Sequence, residues 1–413
     1  MTQRVRIERL GHRGDGVAEF DGRPIFITHV LPGELVDIER TGSERAQLIN
    51  VIEASPQRAY AFIPGEAVCG GCGLRHISVE AQLEWKGALV AENLRSAGID
   101  ALVEPCIDAH GHGRRRATFH ARRGKDGVLR VGFTEARSHD VVDLGQHLCP
   151  VMSPGLQGGV EPVRGLAKVL ANLNKPIDAV VTVTRTGLDV SLRGVGAVPE
   201  KLRLQLVERA TAFGLARLSL HDEILVEAVA PVVQFGKAEV VLPSGGFLQA
   251  TEAGENILAA LVLEGVGPAK RVADLFSGSG TFALRLAETS TVRAVESDRG
   301  ALSALERASR RASGLKKVDV EGRDLFQRPL QKAELAPFDA VVFDPPRVGA
   351  EAQSRALAES KVGRVVAVSC NPATLARDLK ALLQGGFQID RVVPVDQFRH
   401  SAHVEAVAVL SRR

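Results

Sequence analysis

At 413 residues the chain is too long for one ordinary domain, so two or three are expected. An apolar content of 45% suits a folded protein, and a formal charge of +3 leans mildly toward an anionic partner. No stretch approaches bilayer-crossing length, the N-terminal M-T-Q-R-V-R-I-E lacks the apolar core of a signal peptide, and five scattered cysteines exclude a secreted disulfide framework. A soluble, cytoplasmic protein is expected.

Residues 1–55 alternate short apolar stretches with Gly, Asp and Pro turns, which predicts five strands: Arg4–Arg9, Gly16–Phe20, Pro24–Thr28, Glu34–Arg40 and Ala46–Glu53. That count suits a small β-barrel. The runs G-D-G-V-A at 14–18 and L-P-G-E-L-V at 31–36 resemble the TRAM domain, an oligonucleotide-binding-like barrel attached to RNA-modifying enzymes.

Cys69-Gly70-Gly71-Cys72 follows, with His76 beyond it. A C-x-x-C pair brings two soft ligands to one metal, and glycines let the backbone turn around it. Alone it fits zinc, an iron–sulfur cluster, a redox pair or a tight turn. Residues 56–265 read as a central α+β domain. Val79–Ala97 has helical apolar spacing and a Gly98 stop. Arg114-Arg115-Arg116 heads a basic strand, Ala117–Arg123, in which Phe119 is positioned to stack a base; a solvated basic face is the alternative.

Residues 266–413 alternate strand and helix, which predicts a doubly wound sheet. Asp274-Leu275-Phe276-Ser277-Gly278-Ser279-Gly280 links its first strand to a helix, the glycines allowing a tight turn and close approach to a ligand. The run also fits G-x-G-x-x-A, so a nicotinamide dehydrogenase is a rival. Glu296 ends the second strand, where a carboxylate can accept from ribose hydroxyls. Asp324 follows the third and is a ligand contact or a helix N-cap. Asp344-Pro345-Pro346-Arg347, a rigid acidic turn after the fourth, breaks the tie against the dehydrogenase.

Cys370 ends the fifth strand in V-V-A-V-S-C-N-P. Pro372 must stop that strand, and Thr374–Leu383 reads as a helix, so Cys370 lies near a helix N-terminus that favours a thiolate. A buried, inert cysteine is the alternative. The link Asp396–Ala402 is too short for a crossover helix, so the last two strands should pair antiparallel. Glu405 would then start its strand beside Asp344 and Cys370. A carboxylate buried there has a raised pKa, which suits a general base; a pairing with Arg347, Arg399 or His403 is the structural alternative.

Five segments coincide: F-x-Q at 247–249, D-L-F-x-G-x-G, D-P-P-R-x-G, S-C-N-P-A-T-L-A-R-D and D-Q-F-x-H-x-x-H-V-E. Together they resemble the RNA uracil-C5 methyltransferase family, nearly end to end. The resemblance implies a class I S-adenosylmethionine methyltransferase domain, Rossmann-like, behind the TRAM-like barrel. It implies Cys370 as nucleophile, Glu405 as base, and Asp344 orienting the target base or the methionine moiety. Gln249, Asp274, Phe276, Gly278, Gly280, Glu296, Asp324 and Asp344 would hold S-adenosylmethionine. Thr251 stands where the family usually has Asn, Arg399 where it has Pro, and Ser401 where it has Thr.

The C-G-G-C segment resembles the 23S ribosomal RNA branch, whose four cysteines hold a [4Fe–4S] cluster. Cys69, Cys72 and Cys149 match three of them, Ile63 replaces the first, and Cys106 is a candidate substitute. The expectation is a monomer methylating uridine C5 in 23S ribosomal RNA, with transfer RNA as the alternative. Other classes are an exocyclic-nitrogen methyltransferase, which has no need of Cys370, a radical methylthiotransferase, whose C-x3-C-x2-C is absent, and a non-catalytic RNA-binding protein.

Overall fold

The computed structural model describes residues 2–60, 69–136, 138–145, 148–173 and 175–412. The N-terminal strands form a six-stranded sheet. Alternation fills its interior: along Leu35–Arg40, Val36 and Ile38 point inward and pack on Val5, Ile25, Ile27 and Leu48.

A seven-stranded sheet follows, running in space from Val141–Asp143 through Leu129–Thr134, Arg116–Arg123, Ile177–Thr184, Gly187–Arg193 and Arg217–Leu220 to Glu223–Glu227. The helix Val160–Leu170 packs its apolar face on it through Val163, Leu166 and Leu170. The basic strand corrects one expectation. Phe119 is 0% exposed and stacks on Phe133 inside this core, so it is no platform for a base. Odd positions of that strand face inward, and Phe119 shares their face with Ala117 and Ala121.

The last sheet has eight strands. Seven are β1 (Arg271–Leu275), β2 (Thr291–Glu296), β3 (Val318–Gly322), β4 (Ala340–Phe343), β5 (Arg364–Ser369), β6 (Gln388–Asp396) and β7 (Glu405–Ser411). Their order is β3-β2-β1-β4-β5-β7-β6, with the short strand Ile107–Asp108 of the central region added beside β6. β1 to β5 are parallel, and β7 is antiparallel to both β5 and β6, as the short link requires. Both faces of β4, β5 and β7 are covered, so these central strands are largely apolar, whereas the edge strand β3 (V-D-V-E-G) is half exposed. Val341 and Phe343 face the helices Val79–Ser96 and Pro372–Gln384, while Ala340 and Val342 face Glu252–Val266.

The loop between β6 and β7 is clamped by the central region. The Lys86 ammonium lies 2.6 Å from Asp396 and donates to the Phe398 carbonyl at 3.1 Å. The Gln82 side chain accepts from the His400 amide at 2.9 Å, and Leu74 N–H donates to the His400 carbonyl at 2.8 Å. Among the described residues, no helix is long and apolar enough to cross a membrane.

Candidate active site

The chemistry-bearing residues gather at the C-terminal edge of the parallel strands, where open α/β sheets take ligands. Cys370 follows β5, Asp344 follows β4, and Glu405 opens β7. Ser369 pairs with Ala406 across β5 and β7, so the next step of that register sets Cys370 opposite Glu405. The helix after Cys370 starts at Pro372, two residues earlier than the apolar spacing suggested. Proline loses nothing at a first helical position, and Asn371 caps the helix by accepting from Ala373 N–H at 3.1 Å.

Glu405 is 4% exposed. Its Oε1 accepts from Gln397 Nε2 at 3.2 Å, while Oε2 has no hydrogen-bond partner among the described residues. Burial, then the charge of Asp344, push the Glu405 carboxyl up to about 8. Asp344 is itself pushed up to about 7 by burial, against a hydrogen bond from Gln249 Nε2 at 3.2 Å. None of the cations weighed as ion-pair partners takes Glu405: Arg347 bonds His403 at 3.2 Å and Arg399 pairs with Asp108.

Cys370 departs from the expected thiolate. Burial, then Glu405 and Asp344, push its thiol up to about 11, with Arg347 pulling the other way. Two carboxylates and desolvation outweigh the favourable end of one helix.

The second half of the site is a cradle at the tips of β1 and β2. Asp274 is 0% exposed, and among the described residues neither carboxylate oxygen has a well-formed hydrogen bond, with only Ala283 N–H approaching it. Burial, then Asp344, hold its carboxyl well above the usual range, with Glu296 adding to the effect. Phe276 sits at φ 60°, a strained conformation for a residue with a Cβ. Gly278 (φ 53°) faces open space, and a Cβ on Gly280 (φ 99°) would come 2.9 Å from Leu305 Cγ. Glu296 grips the glycine turn from below: Oε2 accepts from Gly278 N–H at 3.0 Å and Oε1 from Asp298 N–H at 2.8 Å. Asp324 accepts from Phe326 N–H at 2.9 Å and from Gln327 N–H at 3.4 Å, closing a turn rather than capping a helix. That turn brings Phe326 against Phe276, ring centroids 5.3 Å apart.

Asp274, buried and short of hydrogen bonds, with Asp344 close by, calls for a ligand that is cationic and rich in donors. The sulfonium and α-ammonium of S-adenosylmethionine have that character, and the two-phenylalanine edge suits an adenine. The cradle fits this group.

The cysteine corner does not fit a [4Fe–4S] cluster. Cys72 and Cys69 share a hydrogen bond, which holds the Cys69 thiol down to about 6 and pushes Cys72 up, and Cys149 feels the charge of Cys69. Three thiols are one short of the usual four. Ile63 lies outside the described residues, and Cys106 lies elsewhere, beside Lys86, Asp108 and Asp396. Among the described residues no group of three or more His, Cys, Asp or Glu is arranged to hold a metal. The cluster expectation is not supported.

Sequence reasoning singled out neither Gln397 nor Phe326. Gln397 stood inside D-Q-F-x-H-x-x-H-V-E, but only its contacts give it a task. Phe326 was visible as an aromatic two residues after Asp324.

Comparison with known proteins supplies a family. The TRAM domain profile matches residues 1–45, and that of tRNA (Uracil-5-)-methyltransferase matches residues 315–413. An uncharacterised RNA methyltransferase of Brucella suis is 47% identical over 100% of this chain and 98% of its own. The 23S rRNA (uracil(1939)-C(5))-methyltransferase RlmD of Chromohalobacter salexigens is 32% identical over 99% of this chain and 89% of its own. In fold, the chain matches the Pyrococcus abyssi tRNA (uracil-54, C5)-methyltransferase, solved with S-adenosyl-L-homocysteine, at TM-score 0.75 and 24% identity, covering 98% of this chain and 99% of that one. With that sequence likeness to a uracil-C5 methyltransferase sustained over both chains, on the same fold and around a donor cradle, this chain belongs to the S-adenosylmethionine-dependent RNA uracil-C5 methyltransferase family.

Proposed function

We propose that the protein methylates C5 of a uridine in 23S ribosomal RNA through a covalent adduct with Cys370. The 23S-directed relative at 32% identity and the C-G-G-C segment support ribosomal over transfer RNA. One observation carries the mechanism: a sulfur and a buried carboxylate face each other across β5 and β7, beside Asp344.

Uracil C5 is a poor nucleophile. Cys370 Sγ, as the thiolate, adds to C6 and pushes electrons onto C5, which becomes enolate-like. S-adenosylmethionine held in the cradle would supply an electrophilic methyl group, and C5 would bond to that carbon as the sulfonium–methyl bond breaks, leaving S-adenosylhomocysteine. Glu405 then removes the remaining C5 proton, the C5–C6 double bond re-forms, and the C6–S bond breaks to free Cys370. Arg347 is the cation at hand to favour the thiolate as the base enters. Asp344, steadied by Gln249, orients the ring or the methionine moiety. Gln249, Asp274, Phe276, Gly278, Gly280, Glu296 and Asp324 hold the donor. The target must leave its stack to reach this edge, so a flipped or single-stranded uridine is expected.

Cys370→Ala is expected to abolish methylation while keeping donor binding; turnover near the parent's would refute covalent catalysis. Glu405→Gln is expected to trap a protein–RNA adduct that survives denaturing gels. Mass spectrometry of 5-methyluridine in 23S RNA from a strain lacking the protein tests the substrate, and an unchanged 23S map would overturn that part.

A further inference from the structure

The amides around Glu405 have a polarity set by one backbone group. Thr251 N–H can only donate, and its acceptor is Gln397 Oε1 at 3.4 Å. Gln397 Nε2 must therefore face the other way, where it meets Gln249 Oε1 at 2.7 Å and Glu405 Oε1 at 3.2 Å. Gln249 is fixed in turn, so its Nε2 donates to Asp344 Oδ2 at 3.2 Å. Flipping either amide would set two donors or two acceptors against each other.

The anchor is itself rigid. Thr251 Oγ1 donates to the Ala109 carbonyl at 2.6 Å and accepts from Gly254 N–H at 2.9 Å. Gln397 is 0% exposed, so water does not compete for its amide. Gly254 leaves room for it: a Cβ there would come 2.8 Å from Gln397 Cβ and Oε1.

From this geometry we infer that Gln397 is a positioning residue which gives the two oxygens of Glu405 different tasks: Oε1 is held, and Oε2 takes the proton. The inference rests on Glu405 being the base. A proton on Oε1 would crowd the Gln397 N–H, whereas Oε2 is buried with no partner among the described residues and is the oxygen left to receive it. The same amide chain spans from Glu405 to Asp344, fixing both carboxyl groups as acceptors on one side and leaving their other oxygens for the ligands. Its hydrogen bond to Glu405 also favours the ionised carboxylate, against burial.

Gln397→Met keeps the volume and removes the amide. The expected result is a loss in kcat of about 10²-fold, larger than any rise in the KM for RNA or, through the freed Gln249, for methyl donor. The acid limb of the kcat profile should move to higher pH, because Glu405 loses a donor that favours its charge. The denaturation-resistant protein–RNA adduct should accumulate, as in Glu405→Gln, because the last proton transfer is the step slowed most. A role in packing alone would lower stability without moving the acid limb or building up adduct. Gly254→Ala displaces Gln397 without removing a polar group and should give the same signature more weakly, which keeps the test open if Gln397→Met does not fold. Adduct in Glu405→Gln with none in folded Gln397→Met or Gly254→Ala overturns this inference alone. Adduct in none of the three overturns the base assignment, and this inference with it.

Discussion

Glu405 is a carboxyl that the fold keeps from ionising, and this gives a stability prediction independent of RNA. Its carboxyl sits at about 8 in the folded protein, against an ordinary value of 4.5. In the unfolded chain it ionises near 4.5 and releases its proton early. Between those values the folded state binds more protons than the unfolded one, so the group's contribution is greatest in acid and is lost as pH rises. The slope is about 1.4 kcal/mol per pH unit. Glu405→Gln has no proton to lose. Its stability relative to the parent should therefore climb by ~4 kcal/mol between pH 5 and 8, then level off. The value of about 8 already includes the hydrogen bond from Gln397, which favours the ionised form. Urea denaturation of both proteins at fixed ionic strength from pH 4 to 9, following the transition of the catalytic sheet, measures the difference. A gap that stays constant over pH 5–8, or that closes, would refute the reasoning.

Turnover should rise with pH toward about 8 as Glu405 ionises; a rate independent of pH between 6 and 8 under saturating substrates would count against it. Lys86→Met strands a buried Asp396 and should cost about 3–5 kcal/mol in denaturant, most of it recovered in Lys86→Met/Asp396→Asn. Gly280→Ala forces a Cβ onto Leu305 at a positive φ; it should weaken binding of S-adenosylhomocysteine measured by calorimetry, and unchanged affinity would argue against the cradle.

Patterns that repeat along the chain were the legible ones. Alternating strand and helix gave the doubly wound sheet, and the short Asp396–Ala402 link was enough to turn β7 around and bring Glu405 to Cys370. Quantities set by three-dimensional surroundings were not. The Cys370 thiol was read from its helix terminus, but two carboxylates from other strands and burial decide its proton affinity. Phe119 was read from its basic neighbours, but strand parity sends it inward. Gln397 owes its task to Thr251 N–H, 146 positions away in sequence, and no local pattern encodes that.

The clamp on the β6–β7 loop limits how the molecule can be divided. Leu74, Gln82 and Lys86 grip the segment that ends in Glu405, yet they precede β1 by some two hundred residues. Trimming the chain to its C-terminal sheet would keep the sulfur and the β1–β2 part of the donor cradle but lose Gln249 and cut the moorings of the group that finishes the reaction. Such a fragment should stall after attacking its target. The smallest competent enzyme therefore has to include the helix Val79–Ser96, and grafts between relatives should move that helix and the β6–β7 loop as one piece.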